Sequence, residues 1–262
     1  MKLSISIITI NYNNSKGLQK TLQSVVEQTY TDVEYIVIDG NSVDGSVEVI
    51  ESYKDSIAKW ISEKDDGIYN AMNKGIAMAT GQYILFLNSG DVFTSKNTLQ
   101  DCINHINFKG DIIYGDYQFE NGEKIYPDTI TPYYFVKSSL PHQSTFFHKS
   151  VFDKMGYFDE SYQICADRAF YLKCCVSNLF TWQHIKYPIT LFDLGGLSNN
   201  PNHLKKKQEE DERLWRENLG VHYTDYKKMF SLEQEINRLR KETISGILNR
   251  ISKKIKSLWR NR

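Results

Sequence analysis

The 262-residue chain reads as an α/β protein, with a mainly parallel central sheet flanked by helices and a helical C-terminal extension. Three observations carry that reading. Short β-branched runs alternate with stretches of helical periodicity, the pattern of parallel strands joined by crossover helices. Each early strand runs into a polar turn bearing Asn or Asp, and open α/β sheets bind ligands beyond the carboxyl ends of their strands. From residue 205 onward the alternation gives way to a charged, helical composition.

The elements follow in order. LSISIITI (3–10) alternates and predicts a strand, ended by the turn Asn11–Asn14. A helix over 16–28 places Leu18, Leu22, Val25 and Val26 on one face. VEYIVID (33–39) is a second strand, closed by Asp39-Gly40-Asn41-Ser42, and Asp44-Gly45-Ser46 opens the next helix. A short strand is expected over 58–62, then the charged loop 63–67 and a helix over 68–80 ended by Gly81. YILFL (83–87) is a buried strand that enters Asn88-Ser89-Gly90-Asp91. Further on, strands are expected over 111–119 and 142–148 and once or twice within 182–193, with helices over 150–155 and 166–176. Residues 127–140 read as loop, and Gly195-Gly196-Leu197-Ser198 as a mobile loop over the donor or acceptor.

Composition excludes several classes. Lys+Arg and Asp+Glu both number 32, so no net field marks a nucleic-acid binder. Cys102, Cys165, Cys174 and Cys175 lack metal-ligand spacing and read as reduced thiols. The N-terminus lacks a signal-peptide pattern, and no apolar run approaches the ~20 residues that span a bilayer. The expected location is cytoplasmic. At the far end, Ile244, Leu248, Ile251, Ile255 and Leu258 form an apolar stripe, and residues 249–262 hold six basic residues and no acidic one. Such a helix suits the inner, anionic membrane surface as a peripheral contact. The competing reading is packing on a neighbour or pairing as a short coiled coil, which would make a homo-oligomer.

Two carboxylates stand where chemistry is expected. Asp39 ends a buried strand and could accept a hydrogen bond from a uracil imide N–H. Asp91 ends another in a turn whose small residues, Ser89 and Gly90, admit phosphate and a hard divalent cation, Mg²⁺ or Mn²⁺.

SIITINYNN, VVEQTY, VEYIVIDGNSVDGS, DDGIYNAMNKGIAMATGQYILFLNSGD and ICADRAFYLKC together resemble the ordered motifs of family 2 glycosyltransferases. The wording of DDGIYNAMNKG and LNSGD is similar to the branch that builds bacterial exopolysaccharide and lipid-linked repeat units. The resemblance implies a GT-A fold, with a nucleotide-sugar-binding lobe over 1–95, an acceptor and catalytic-base lobe over 96–204, and an extension over 205–262. It places Thr9, Asn11 and Tyr12 around the nucleotide, Asp39 on the base, Asp66 as a second nucleotide-contacting acid, and Asn73 and Lys74 toward the diphosphate. It sets Asn88, Ser89, Gly90 and Asp91 on the metal-binding segment, with Asp91 as metal ligand, and Asp167 as general base. His142 and Gln143 are expected on the acceptor side, and Trp182 to stack on a sugar. Two residues depart from the pattern: Gly90 replaces a carboxylate of the metal segment, and Ala166 replaces the Glu before the base. The implied reaction is inverting transfer from a nucleoside-diphosphate sugar, with a UDP-sugar as the first candidate, to a glycan or lipid-linked glycan hydroxyl. A nucleotidyltransferase would need a basic loop, and Asn11–Ser15 has no Arg or Lys. A non-catalytic nucleotide-sugar-binding or scaffold subunit stays open because of Gly90.

Overall fold

The run ISIITIN forms β1 (Ile5–Asn11), buried along its whole length, at the middle of the parallel half of one sheet. The computed structural model describes residues 3–192 and 201–260. Two compact units are present, Met1–Asn218 and Leu219–Arg262.

In the first unit, α1 (Ser15–Val26) leads to β2 (Val33–Asp39), α2 (Ser46–Ser52) to β3 (Lys59–Ser62), and α3 (Ile68–Met78) to β4 (Tyr83–Phe86). Strands β3, β2, β1 and β4 lie parallel in that order, so Asn11 is level with Asp39 and Asp39 with Ser62. The short β5 (Val92–Phe93) and α4 (Thr98–Asn104) precede β6 (Ile112–Phe119) and β7 (Gly122–Lys124). After α5 (Tyr134–Lys137) come β8 (Thr145–His148), α6 (Ser150–Met155), α7 (Ala166–Ser177) and β9 (Trp182–Leu191). The sheet continues from β4 as β8-β6-β9-β5, with β8 antiparallel to both neighbours and β6 parallel to β9.

The apolar spacing read from the sequence sets the layers. Leu18, Leu22 and Val25 of α1 pack with Ile5, Ile7, Val37 and Leu85 in one core. Elsewhere the core is aromatic: Phe86, Phe147, Phe152, Phe158 and Phe170 meet at centroid distances of 5.1–6.3 Å, a favourable geometry for ring pairs. Gly75 lets α3 lie directly on Ile8, where any Cβ would collide.

Several elements differ from expectation. Residues 142–144 form a tight turn rather than the start of β8, because the Ser144 N–H and Thr145 hydroxyl both bond the Pro141 carbonyl (3.0 and 2.8 Å). The 182–193 region yields one strand, whose pairing shifts register opposite Gly115–Tyr117 of β6 because Lys186, Tyr187 and Ile189 of β9 have no partner there. A turn of helix, α5, sits in the stretch read as loop.

The extension over 205–262 divides. Most of α8 (Leu204–Leu219) belongs to the first unit, with Glu210, Leu214 and Trp215 buried. The second unit holds α9 (Tyr223–Arg260). Among the described residues no helix is long and apolar enough to cross a membrane. The Gly195–Ser198 loop lies outside the described residues. All four cysteines are free and buried.

Candidate active site

Parallel pairing puts the ends of β1, β2 and β3 side by side, and Asp39 braces all three. Its Oδ1 accepts from Asn11 Nδ2 (2.8 Å) and the Ser42 hydroxyl (2.6 Å), and its Oδ2 from the Ser42 N–H (2.9 Å) and the Ser62 hydroxyl (2.6 Å). Burial pushes the Asp39 carboxyl up, but the bonds from Ser42, Ser62 and Asn11 outweigh it and leave the group below its ordinary value. Asp39, expected to read the base, is wholly buried, and each of its oxygens already accepts two hydrogen bonds that tie the ends of β1, β2 and β3 together.

The surface beside it is built from other residues. A Cβ on Gly40 would meet Asp65 Oδ2 at 2.7 Å and the Tyr12 ring at 3.1 Å, so these two flank the bare Gly40 backbone. The Tyr12 ring is 68% exposed and offers a stacking face. Asp66, the acid that the resemblance implies, is exposed, and it is the neighbouring Asp65 that turns toward Gly40. The adjacent pair in Asp65-Asp66 was the signal, and only the backbone decides which one turns toward Gly40. Asn13 and Asn41 adopt positive φ (49° and 62°), as Asn tolerates. The two loops are tied where the Asn13 N–H bonds Ser42 Oγ (2.8 Å) and the Ser15 N–H bonds Asp44 (2.8 Å).

Beyond β4, the Asn88–Asp91 turn is held by Thr21 of α1. The Thr21 hydroxyl donates to the Asp91 carbonyl (2.8 Å) and accepts from the Gly90 N–H (3.0 Å). Gly90 has φ +110°, so the carboxylate residue that the family pattern expects there would be strained. Ser89 shares hydrogen bonds with Asn14, at 3.2 Å each way, which joins this turn to the end of β1. Asp91 is buried, and its charge acts on His142. No group of three ligating side chains occurs among the described residues. One carboxylate in a turn of small residues fits a Mg²⁺ or Mn²⁺ ion held chiefly by a diphosphate, and does not fit a resident protein cage.

Asp167 stands in the first turn of α7. Its Oδ1 accepts the Arg168 N–H (2.7 Å) and lies 3.2 Å from the Tyr69 hydroxyl, which donates to the Ile164 carbonyl (2.6 Å). Its Oδ2 is 3.1 Å from His142 Nδ1, and His142 Nε2 is 3.1 Å from Asn88 Nδ2. Side-chain exposures of 16% for Asp167 and 20% for His142 keep both reachable. Burial lowers the basicity of His142, yet the hydrogen bond and charge of Asp167 and the charge of Asp91 prevail, and its pKa is raised. With Nδ1–H on Asp167, neutral His142 accepts from Asn88 Nδ2, which leaves Asn88 Oδ1 buried and without a partner. A half-turn of that amide would set Oδ1 against a protonated Nε2–H, so the pair serves both charge states. Hydrogen bonds therefore join Asp167 through His142 to Asn88 of the β4 turn, and the next residue of that turn, Ser89, is tied to Asn14 at the end of β1.

The loop before α7 is fixed from behind, which the sequence did not reveal. Glu210 of α8, 4% exposed, accepts the backbone N–H groups of Gln163, Ile164 and Cys165 at 2.8, 2.9 and 3.0 Å. Arg168 pairs with Asp211 at 2.5 Å and donates to the Phe135 carbonyl (2.7 Å).

Other expected site residues are engaged within the protein. Thr9 is fully buried, its hydroxyl bonded to the Leu87 carbonyl (2.7 Å). Asn73 clamps the backbone of Phe158 (2.9 and 3.0 Å) and donates to the Glu160 carboxylate (2.7 Å). Lys74 pairs with Glu63 (2.8 Å). Gln143 is buried beside His142. Trp182 pairs with Ile112 at the N-terminal end of β9 and packs near Phe135 and Tyr171. It is therefore at the opposite sheet edge from Asn88 and cannot stack on a sugar bound there.

A mainly parallel sheet with its polar groups gathered at the carboxyl edge, an antiparallel β8 within it, and Asp167 at the start of α7 meeting that edge through His142 define the GT-A type of nucleotide-sugar transferase. The model for glycosyl transferase family 2 matches residues 6–162, and the chain belongs to that family. It is 34% identical over 181 residues to an uncharacterized glycosyltransferase of Mycobacterium tuberculosis, covering 66% of this chain and 69% of that one. A PGL/p-HBAD biosynthesis glycosyltransferase of Mycobacterium bovis is 27% identical over 205 residues, 74% of this chain and 78% of the relative. Among solved structures, S. aureus TarS 1–349 in complex with UDP-GlcNAc superposes with a TM-score of 0.65 at 17% identity, over 86% of this chain and 69% of that one. A mannosyltransferase from Pyrobaculum calidifontis, in complex with GDP-Man and Mn²⁺, gives 0.58 at 14% identity, over 83% and 64%. The chain spans 44% of a longer TarS chain.

Proposed function

We propose that the protein is an inverting glycosyltransferase that moves a sugar from a nucleoside-diphosphate sugar, a UDP-sugar first among candidates, to a hydroxyl of a glycan or lipid-linked glycan. The observation that carries the reading is Asp167, held by Arg168 and by His142, which in turn meets Asn88 of the turn at the carboxyl end of β4. Tyr12, Gly40 and Asp65 would take the base, with Asp39 and Asn11 bracing the loops beneath it. The diphosphate would lie toward Asn88–Asp91, with Ser89 and Gly90 leaving room for it. Asp91 would hold Mg²⁺ or Mn²⁺ there, an ion whose charge offsets that of the departing diphosphate.

The chemistry follows from the position of the base. Asp167 takes the proton of the acceptor hydroxyl as that oxygen bonds to the anomeric carbon, while the bond from that carbon to the diphosphate breaks and the diphosphate leaves with the electron pair. His142 keeps Asp167 turned to receive the proton. Attack opposite the leaving group inverts the anomeric centre. On this reading residues 1–95 serve the donor and 96–204 the acceptor. The basic end of the chain holds the enzyme at the cytoplasmic face of a membrane bearing a lipid-linked acceptor.

The test is hydrolysis of a panel of nucleotide sugars, with Mn²⁺ or a chelator, comparing the native chain with Asp91→Ala and Asp167→Asn. We expect metal-dependent release of a nucleoside diphosphate from one donor, with each variant slowed by about 10²-fold or more. An α-linked product from an α-linked donor would contradict single displacement. Thermal stabilisation by UDP without turnover on any lipid-linked acceptor would instead favour the binding-subunit reading that Gly90 keeps in view.

A further inference from the structure

We propose that two copies of this chain pair in parallel through the N-terminal half of α9. Met229, Leu232, Ile236 and Leu239 recur at spacings of three and four along it. Their exposures are 46%, 50%, 48% and 49%, so the stripe keeps about half its surface open. An apolar stripe of this kind on a long helix marks a contact face. Assigning Met229 and Ile236 to heptad position a, and Leu232 and Leu239 to d, gives a seam that continues to Thr243. It ends at Gly246, where a d residue is due. A β-branched residue at a with Leu at d favours two parallel strands.

The charges beside the seam select the occupant. Lys228 and Glu235 fall at g, and Glu233 and Arg240 at e. In a parallel in-register pair, each g residue faces the e residue of the next heptad on the partner. Lys228 then meets Glu233 of the partner subunit, and Glu235 meets Arg240 of the partner subunit. Symmetry repeats both attractive pairs, so four opposite-charge contacts and no like-charge contact flank the seam. An anionic surface would favour cations on both flanks, whereas this stretch alternates in sign. Glu235 also lies 3.8 Å from Arg238 on its own helix, a weak competing contact that a rotamer change releases. The seam is short, so pairing is governed by concentration.

The test is sedimentation velocity of the full chain over a wide concentration range. The native protein should move from monomer to dimer, and Leu232→Asp with Ile236→Asp should stay monomeric with unchanged far-UV dichroism. Glu235→Lys alone sets a cation against Arg240 of the partner subunit and should raise the dissociation constant about tenfold. Adding Arg240→Glu restores opposite charges in the parallel pair and should recover the native constant. In an antiparallel pair the same second change would place the new carboxylate beside Glu233 of the partner subunit and weaken association further. That outcome, or a native chain that stays monomeric throughout, overturns the proposal.

Discussion

Among the individual side chains, His142 is where structure and chemistry meet. It touches the proposed base on one side and the Asn88–Asp91 turn on the other, so it acts through Asp167 as a positioning residue. Its raised pKa fixes the sign of a pH effect. Below the unfolded value near ~6.5 the imidazolium–carboxylate pair stabilises the fold in full, and this contribution is lost as pH rises through the elevated folded value. Replacing His142 by Gln should therefore cost more stability at pH 6 than at pH 9, measured by urea unfolding. The same variant should lower kcat about tenfold with little change in the donor KM. A stability loss equal at both pH values would show that His142 fills space and does not pair with Asp167.

Among the helices, α8 supports the one that carries Asp167, the proposed base. Removing the Glu210 carboxylate leaves the N–H groups of residues 163–165 without an acceptor, those of Ile164 and Cys165 in buried surroundings. With a cost of roughly 1–3 kcal/mol for each orphaned donor, Glu210→Ala should destabilise by about 3 kcal/mol or more and reduce activity by loosening Asp167. Denaturant midpoints read at constant m would check this, and a change within ~0.5 kcal/mol would remove α8 from the site's support. Strands β1 to β4 and helices α1 and α3 were legible because their signals are local, in β-branched runs and three-four spacing. Glu210 was not, since LKKKQEEDERLWREN has the composition of a solvated face and its partners lie 45–47 residues away. Asp39 and Asp91 were placed at the correct edge by topology alone. That Asp39 is saturated depends on Ser42 and Ser62, brought to it by register, and that Trp182 faces the wrong edge depends on the pairing of β9 with β6. Neither follows from the residue itself.

Across the full chain, the equal totals of 32 basic and 32 acidic residues conceal a basic end, with six cations and no anion over 249–262. At about 1 kcal/mol for each basic residue near an anionic surface, six suffice for reversible membrane binding. Such binding is screened as the Debye length contracts from about 10 Å at 0.1 M salt to about 3 Å at 1 M. The basic end and the Met229–Leu239 seam occupy separate stretches of α9, so they can be tested separately. Parallel pairing would bring two basic ends together, and two weak contacts on one particle bind more tightly than either alone. Deleting 249–262 should thus leave the dimer seen by sedimentation intact while abolishing capture by vesicles rich in anionic lipid. The Leu232→Asp, Ile236→Asp variant should still bind those vesicles, but less tightly than the native dimer, and neither protein should bind neutral vesicles. Vesicle binding by the 249–262 deletion equal to that of the native chain would refute the membrane role of the basic end and leave the dimer seam standing on its own.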